Sequence, residues 1–384
     1  MSQLKIITII GARPQIIKSA ALSRAIRNKF SYQLKEVVVH TGQHYDDNMS
    51  NVFFNELEIS KPNYNLNVGS GSHGKQTGMM IEGIEEILLI EKPNCVVVYG
   101  DTNSTLAGAL AASKINIPVI HIEAGLRSYN KSMPEEINRI MCDHVSTLLF
   151  SPTKTGFNNL VKEGFKENSE PPYSINNPKI IHCGDVMFDN SLYFSSIAEE
   201  TTAILKENNL EEEKYILATI HRDNNTDNAV RLNSLFNAIN KIAKENKIKV
   251  VIPIHPRTAK LLPKNLNSSL YSEIKISEYI KIIDPVSFLE MIALEKNAQL
   301  IMTDSGGVQK EAFFFKKPCI ILRQETEWIE LAECGSAITA DAIEQNIIDA
   351  YNIFLSKKKL VFPNIFGGGK ASEFICSEII KQIN

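Results

Sequence analysis

Short apolar runs recur along the chain, each closed by a polar or glycine-containing step and followed by a stretch of helical period. Lys5–Ile10 is the first run, Gly11-Ala-Arg-Pro14 closes it, and Gln15–Phe30 carries the 3.6-residue period of a helix. Glu36–His40, Asn94–Tyr99, Pro118–Ile122, Leu148–Ser151 and Lys179–Cys183 continue the series, with helices expected over Gln76–Ile90 and the small-residue stretch Ser104–Ser113. The alternation restarts at Lys214–Ile220. It passes through Lys249–Ile254, Ile280–Ile283, Gln299–Met302 and Cys319–Leu322 and ends in a helix over Ala371–Ile383. Gly69–Gly74 and Asn168–Asn177 read as polar loops, and Asp185–Glu200 leads out of the first half. Strands apolar on both faces, alternating with helices, predict parallel sheets with helices on either side. The fold expected is α/β, with two doubly wound Rossmann-like domains over 1–190 and 191–366 and a terminal helical segment over 367–384. Such sheets take ligands at the carboxyl ends of their strands. Facing one another, the two would leave a central cleft lined by strand-end residues.

Composition narrows the partners. The chain has 384 residues, more than one typical core holds, so two domains are expected. A net charge of −3 gives no basic field for nucleic acid or an anionic membrane, and no apolar run is long enough to span a bilayer. Met1 leads directly into Lys5–Ile10 without a signal-peptide core. Six scattered cysteines without a Cys-x-x-Cys pair read as reduced, buried thiols, the pattern of a cytoplasmic protein, and argue against structural zinc.

Candidate chemistry sits where the runs end. Met302-Thr-Asp-Ser-Gly-Gly-Val-Gln-Lys-Glu-Ala312 follows an apolar strand, with a helix expected from near Val308. Ser305, Gly306 and Gly307 then fall on the strand-to-helix turn, where backbone N–H groups lack intrahelical partners and glycine lets a diphosphate approach. Glu311, one helical turn beyond Gly307, can reach ribose hydroxyls beside that phosphate. An ordinary tight turn would also explain Ser-Gly-Gly by itself. Arg13 and Lys18 flank the first strand-to-helix turn, and the planar guanidinium of Arg13 suits phosphate oxygens. Gly11 to Lys18 lacks the Walker A glycine-lysine pair, and no Gly-x-Gly-x-x-Gly is present, which argues against a nucleoside triphosphatase or a dinucleotide dehydrogenase. Asp101 and Glu123 follow apolar strands, and Glu135 and Glu136 follow Pro134. These are the acid–base candidates, although Pro-Glu-Glu is equally a helix start. Neighbouring carboxylates in a closed cleft would push each other's pKa values apart. His221-Arg222 and His255 end the first two strands of the second half, and His121 reads as part of a strand. Phe313–Phe315 reads as core, while Phe288 and Met291 suit either a uracil pocket or an apolar helix face.

Taken together, Gly11-Ala-Arg-Pro-Gln-Ile-Ile-Lys18, Gly100-Asp-Thr102, Glu123-Ala-Gly-Leu-Arg127, Pro134-Glu-Glu-x-Asn-Arg139, His221-Arg222 and Thr303-Asp-Ser-Gly-Gly-Val-Gln309 resemble the non-hydrolysing UDP-N-acetylglucosamine 2-epimerase family, collinearly from Ile6 to the last helix. The resemblance implies a GT-B-like pair of domains, with the terminal helix crossing back onto the first. It implies inversion at C2 of a UDP-2-acetamido sugar through elimination and re-addition of UDP, by way of a 2-acetamidoglycal. Asp101, Glu123 and Glu135 would move the proton, with His221 assisting near the diphosphate. Arg13, Lys18, Arg139, Arg222 and His255 join the substrate-binding candidates. Ser305, Gly306 and Gly307 would hold diphosphate, Glu311 ribose, and the segment around Met291 uracil. No metal and no cofactor is implied, and a homodimer is the family expectation.

Several positions depart from the commonest family pattern. Gln15 stands for a glutamate, Lys310 for a glutamate, Trp328 for a ligand-contacting arginine, and Val286 for the uracil-side glutamine. These variants resemble a subgroup that includes epimerases of UDP-2,3-diacetamido-2,3-dideoxyglucuronate. Gln43 and His44 match the family's second, allosteric UDP-GlcNAc site, whereas Tyr45-Asp-Asp47 and residues 69–74 differ from it. A hydrolysing 2-epimerase or a GT-B glycosyltransferase is the remaining alternative on this scaffold.

Overall fold

The computed structural model describes residues 3–42, 61–357 and 359–383. Gln43, His44 and Tyr45–Asp47, read above as an allosteric segment, lie outside the described residues. The chain divides into two compact units, Met1–Asn190 with Asn364–Asn384, and Ser191–Pro363.

The first unit holds a seven-stranded parallel sheet of β1 (Leu4–Ile10), β2 (Leu34–His40), β3 (Tyr64–Asn65), β4 (Cys95–Tyr99), β5 (Val119–Ile122), β6 (Leu148–Ser151) and β7 (Lys179–His182). Their spatial order is β3-β2-β1-β4-β5-β6-β7. The order reverses between β1 and β4, which are buried along nearly their whole length. This is the switch point at which doubly wound sheets open a crevice. The helix Asn103–Lys114 lies directly on it. A Cβ on Gly108 would come within 3.0 Å of Val98 and 3.1 Å of Ile9, so its small residues are what let it pack so closely on β1 and β4. Thr102 caps this helix by accepting the Thr105 N–H at 3.3 Å.

Helix Val186–Thr201 carries the chain out of this unit, and helix Ala371–Gln382 brings its end back. Asp189 holds the returning segment, its two carboxylate oxygens accepting the N–H groups of Ala371 and Ser372 at 3.0 and 2.8 Å. Lys179 reaches Glu378 at 2.8 Å.

The second unit has a six-stranded parallel sheet of β8 (Tyr215–Thr219), β9 (Lys249–Pro253), β10 (Ile280–Ile283), β11 (Leu300–Thr303), β12 (Cys319–Ile321) and β13 (Ala337–Thr339), in the order β10-β9-β8-β11-β12-β13. The same reversal falls between β8 and β11, which pair Thr219 with Thr303. Both units are therefore Rossmann-like.

Three local expectations change. The helix after β11 starts at Gly306 and not near Val308, because Ser305 is its N-cap and the two glycines form its first helical positions. The periodic stretch after Lys5–Ile10 divides into an α-helix, Arg13–Ala25, and a π-helical turn, Ile26–Phe30. Cys183 and Cys334 are only partly buried, although all six thiols are free. β3 and β13 have two and three residues, too short for an alternation signal.

Candidate active site

In the first unit the loops after β1, β4 and β5 are tied together at the switch point. Gln15 does most of this. Its carbonyl oxygen accepts the N–H groups of Gly11 and Ala12 at 2.9 and 3.2 Å, and its amide donates to the Tyr99 carbonyl at 3.0 Å and to Thr105 Oγ1 at 2.9 Å. A carboxylate cannot donate to the Tyr99 carbonyl, so glutamine rather than glutamate satisfies this buried position.

Lys18 projects from the first helix and forms an ion pair with Glu123. Both groups border Gly100, where an added Cβ would lie 3.1 Å from Glu123 Oε2 and from Lys18 Nζ. Gly100 has a φ of 63° and Glu123 a φ of 75°. The left-handed backbone at Glu123 costs an ordinary side chain about 1–2 kcal/mol. That strain is retained where Glu123 N–H and Ala124 N–H both donate to the Phe150 carbonyl at 3.0 Å.

Asp101, next along from Gly100, pairs with Arg139, and its carbonyl accepts from Asn138 at 2.9 Å. Arg139 is buried and spends its other nitrogen on Glu136 at 2.5 Å. Glu136 in turn accepts the N–H groups of Ser128 and Tyr129 at 3.0 and 2.9 Å. Burial alone would raise its pKa, but those hydrogen bonds and Arg139 hold it below the usual carboxylate range. Glu136 is thus the hinge of the Ser128 loop. Glu135, exposed, stands on the same helix one turn before Asn138 and Arg139, the residues that grip Asp101. Arg13 is exposed at the first position of its helix. Asp101 and Glu123 are each held against a cation, Arg139 and Lys18.

In the second unit the turn after β11 meets the turn after β8. Asp304 is fully buried and accepts the N–H groups of His221 and Arg222 at 3.1 and 3.0 Å and the Asn225 amide at 3.1 Å. His221 Nδ1 stands 3.0 Å from its other oxygen. Burial pushes Asp304 upward, and these donors outweigh it, keeping the carboxyl below its usual range. Asp304 therefore fixes His221 beside Ser305. Ser305 accepts the Val308 N–H at 3.5 Å, and the N–H groups of Gly306 and Gly307 belong to the first helical turn, outside the intrahelical ladder. A Cβ on Gly307 would lie 3.9 Å from Glu311 Oε2, so Glu311 shares the face of the glycine turn.

The segment after β12 borders this turn. Arg323 grips Glu327 at 2.8 and 3.1 Å, and Arg323, Glu327 and Trp328 all fall within 4 Å of where a Gly306 Cβ would stand. Trp328 is buried, with the buried Lys310 ammonium 4.3 Å from its ring centroid. The Trp328 N–H donates to Thr326 Oγ1 at 3.1 Å, and Thr326 donates to Gln309 at 2.6 Å, which ties the segment to the glycine-turn helix. Two unusual positions, Lys310 and Trp328, are therefore one contact.

Beneath Glu311 lies Glu295, which is fully buried. Among the described residues neither of its oxygens meets an N–H donor. Burial, and then the charge and hydrogen bond of Glu311, push Glu295 well above the usual range, which favours its neutral form beside Glu311. Met291, half-buried, lies one turn before Glu295 on the same helix. Phe288 packs edge-on against Phe194 at 5.4 Å and belongs to the core, as do Phe313 and Phe314. His255 is exposed and caps the helix Pro256–Asn265 through its own ring, accepting the Arg257 N–H at 3.3 Å. Arg222 is exposed, and its charge acts on Glu327.

Sequence reasoning names Asp304 only as part of a motif, weighs Glu136 as a helix start or an acid–base group, and does not find Glu295. A glutamate inside an otherwise apolar helical period was the available signal.

No helix among the described residues is long and apolar enough to cross a membrane. The family model for UDP-N-acetylglucosamine 2-epimerase matches residues 26–380. The UDP-2,3-diacetamido-2,3-dideoxy-D-glucuronate 2-epimerase of Pseudomonas aeruginosa is 46% identical over 98% of this chain and 100% of its own. The UDP-N-acetylglucosamine 2-epimerase of Methanocaldococcus jannaschii is 45% identical, covering 97% of this chain and 98% of its own. The crystal structure of the M. jannaschii enzyme in complex with UDP-GlcNAc and UDP superposes with a TM-score of 0.83 at 44% identity, over 99% of each chain. With Rossmann-like sheets of this order, a glycine-lined helix start and the paired acidic loops, the chain belongs to the UDP-N-acetylglucosamine 2-epimerase family, whose architecture is GT-B-like.

Proposed function

We propose that this protein is a non-hydrolysing 2-epimerase that interconverts UDP-GlcNAc and UDP-ManNAc. The observation that carries the reading is the division of chemistry between the units. The second presents neutral, preorganised donors, the Ser305 hydroxyl and the backbone N–H groups of Gly306 and Gly307, with Glu311 on the same face; the Ser305 N–H itself is taken by Thr303 Oγ1 at 2.9 Å. The first presents Asp101 and Glu123, each on a cation, at its sheet's switch point. Backbone N–H groups take the diphosphate, and His221, fixed by Asp304, adds a donor as charge grows on it. Glu311, hydrogen-bonded from Glu295, accepts the ribose hydroxyls, and Met291 lies toward the base.

A carboxylate of the first unit removes the C2 proton while the C1–oxygen bond breaks and UDP carries away the electron pair. The 2-acetamidoglycal remains. UDP re-adds at C1 as a proton returns to the opposite face of C2, so atoms and charge balance. Asp101, Glu123 and Glu135 supply and accept that proton. Arg13, Lys18, Arg139, Arg222 and His255 complete the charged surroundings of the nucleotide sugar.

Epimerisation in deuterated water tests this. Deuterium should enter C2 of recovered UDP-sugar without accumulation of free UDP. Absence of exchange with every UDP-2-acetamido sugar would overturn the reading.

The Lys310–Trp328 contact favours a second reading, epimerisation of UDP-2,3-diacetamido-2,3-dideoxyglucuronate. It replaces an expected arginine beside Gly306, and the Pseudomonas relative that acts on this sugar is 46% identical. A panel of both sugars read by NMR separates the two. In either case we place the enzyme in the cytoplasm, as a homodimer serving surface-polysaccharide synthesis. Light scattering of the purified chain tests the dimer.

A further inference from the structure

His121 lies in β5 with no exposed surface and takes no part in the chemistry above. Its Nε2 is 2.8 Å from the Gly100 carbonyl and its Nδ1 is 2.7 Å from Asp143 Oδ1. A carbonyl oxygen only accepts, so Nε2 carries a proton. Asp143 Oδ2 accepts the Gly125 N–H at 3.1 Å and Arg127 at 2.7 Å. Those donors keep Asp143 ionised, so the proton between Asp143 and Nδ1 sits on the ring. Both ring nitrogens are donors, and the imidazole is a cation. The groups around it balance: Arg127 also grips Glu163 at 2.6 and 2.7 Å, so two cations face two carboxylates, with the Cys142 thiol as the remaining titratable neighbour. Burial alone would lower the pKa of His121, but the charges and hydrogen bonds of its neighbours raise it well above the usual histidine value.

We propose that His121 is a permanently charged strut that fixes the Gly100–Asp101 loop to the Glu123–Arg127 loop, and is thereby a positioning residue for proton transfer at C2. This rests on the assignment of Asp101 and Glu123 to that transfer. One end of the strut holds the carbonyl preceding Asp101. The other, through Asp143, holds the Gly125 N–H and Arg127, two and four residues beyond Glu123 in the segment where the backbone is strained.

The test is long-range proton–nitrogen NMR of the full chain labelled with carbon-13 and nitrogen-15, with the His121 ring assigned in the wild type by through-bond correlation to its own backbone. Two protonated ring nitrogens, unchanged from about pH 6 to pH 9, are expected; a neutral-imidazole signature near pH 7 overturns the proposal. His121→Asn and His121→Gln should lower kcat and C2 deuterium exchange together, on the order of a hundredfold for a displacement near 1 Å. The Kd for UDP, bound by the other unit, should stay unchanged. Wild-type kcat in a folded variant also overturns it, and if neither variant folds the wild-type spectrum decides. A wild-type enzyme without C2 exchange removes the assignment of Asp101 and Glu123, while the spectrum still decides the charge of His121.

Discussion

Replacing Gly307 with alanine separates stability from binding. Among the described residues a methyl group there meets Ser305 Oγ at 3.8 Å and Glu311 Oε2 at 3.9 Å, ordinary contact distances. Gly307 is not among the positive-φ glycines, so alanine adopts its backbone without strain. Gly307→Ala should therefore stabilise the fold by about 0.4–1 kcal/mol, by restricting the unfolded chain. In a unit of this size that raises Tm by about 1–4 °C. The diphosphate, however, must come to about 2.9 Å from the backbone nitrogens, and the methyl group stands in that path. Loss of one hydrogen bond to a charged oxygen costs about 1.5–3 kcal/mol. The Kd for UDP should therefore weaken by roughly 10- to 150-fold. Calorimetric titration with UDP, beside thermal melts without ligand, reads both effects. Gly125→Ala is the contrasting control. Its φ is 80° and a Cβ would stand 2.2 Å from the Gly156 carbonyl, so this variant should lose stability outright. If Gly307→Ala melts no lower than wild type and binds UDP as well, the diphosphate does not lie on this turn.

Asp101→Asn should abolish C2 deuterium exchange and leave the Kd for UDP within about twofold of wild type, because the cradle is in the other unit; undiminished turnover would remove Asp101 from the mechanism. Glu295→Gln should gain thermal stability relative to wild type as pH rises. The folded pKa of Glu295 is raised, so its contribution is fully present below the unfolded value of about 4.5 and is lost as pH rises toward the folded one. Melts across that range check the sign, and a variant that loses stability with rising pH refutes the neutral-acid assignment. Trp328→Arg, which breaks the Lys310 contact and places a cation near Gly306, should shift kcat/KM between UDP-GlcNAc and the diacetamido-glucuronate. An unchanged ratio would leave Trp328 without a part in sugar choice.

The fold was legible because both sheets are buried on two faces, so each strand is a plain apolar run whose end marks the ligand edge. Asp101, Glu123, His221 and Ser305 are candidates by that rule, and each stands one to two residues past a strand. What was not legible is what those side chains touch. Arg139 stood out as part of a motif, but its clamp between Asp101 and Glu136 depends on helix Pro134–His144 lying over the β4 loop, a contact between residues 38 apart. Glu136 was balanced between a helix-start acid and a catalytic one. It stands in the first helical turn, and its oxygens accept from the Ser128 loop and from Arg139. Lys310 and Trp328 were read as two separate departures, because nothing in their 18-residue spacing announces a stacked pair.

The same residue type ends in opposite protonation states in this chain, and the partner decides which. Asp143, fully buried, meets His121 and Arg127, and those cations more than offset the burial that would neutralise it. Glu295, equally buried, meets another carboxylate and keeps its proton. Asp101 and Glu123 likewise stand against cations, Arg139 and Lys18. A cation against a carboxylate favours its charged form, the form a general base needs. Removal of a proton from one face of C2 and its return to the other call for one carboxylate that starts ionised and one acid that starts protonated, each changing state once per turnover. The first unit therefore suits proton transfer, while the second suits holding a ribose still, and exchanging the cation partners for neutral ones should cost the first unit its reaction before its fold.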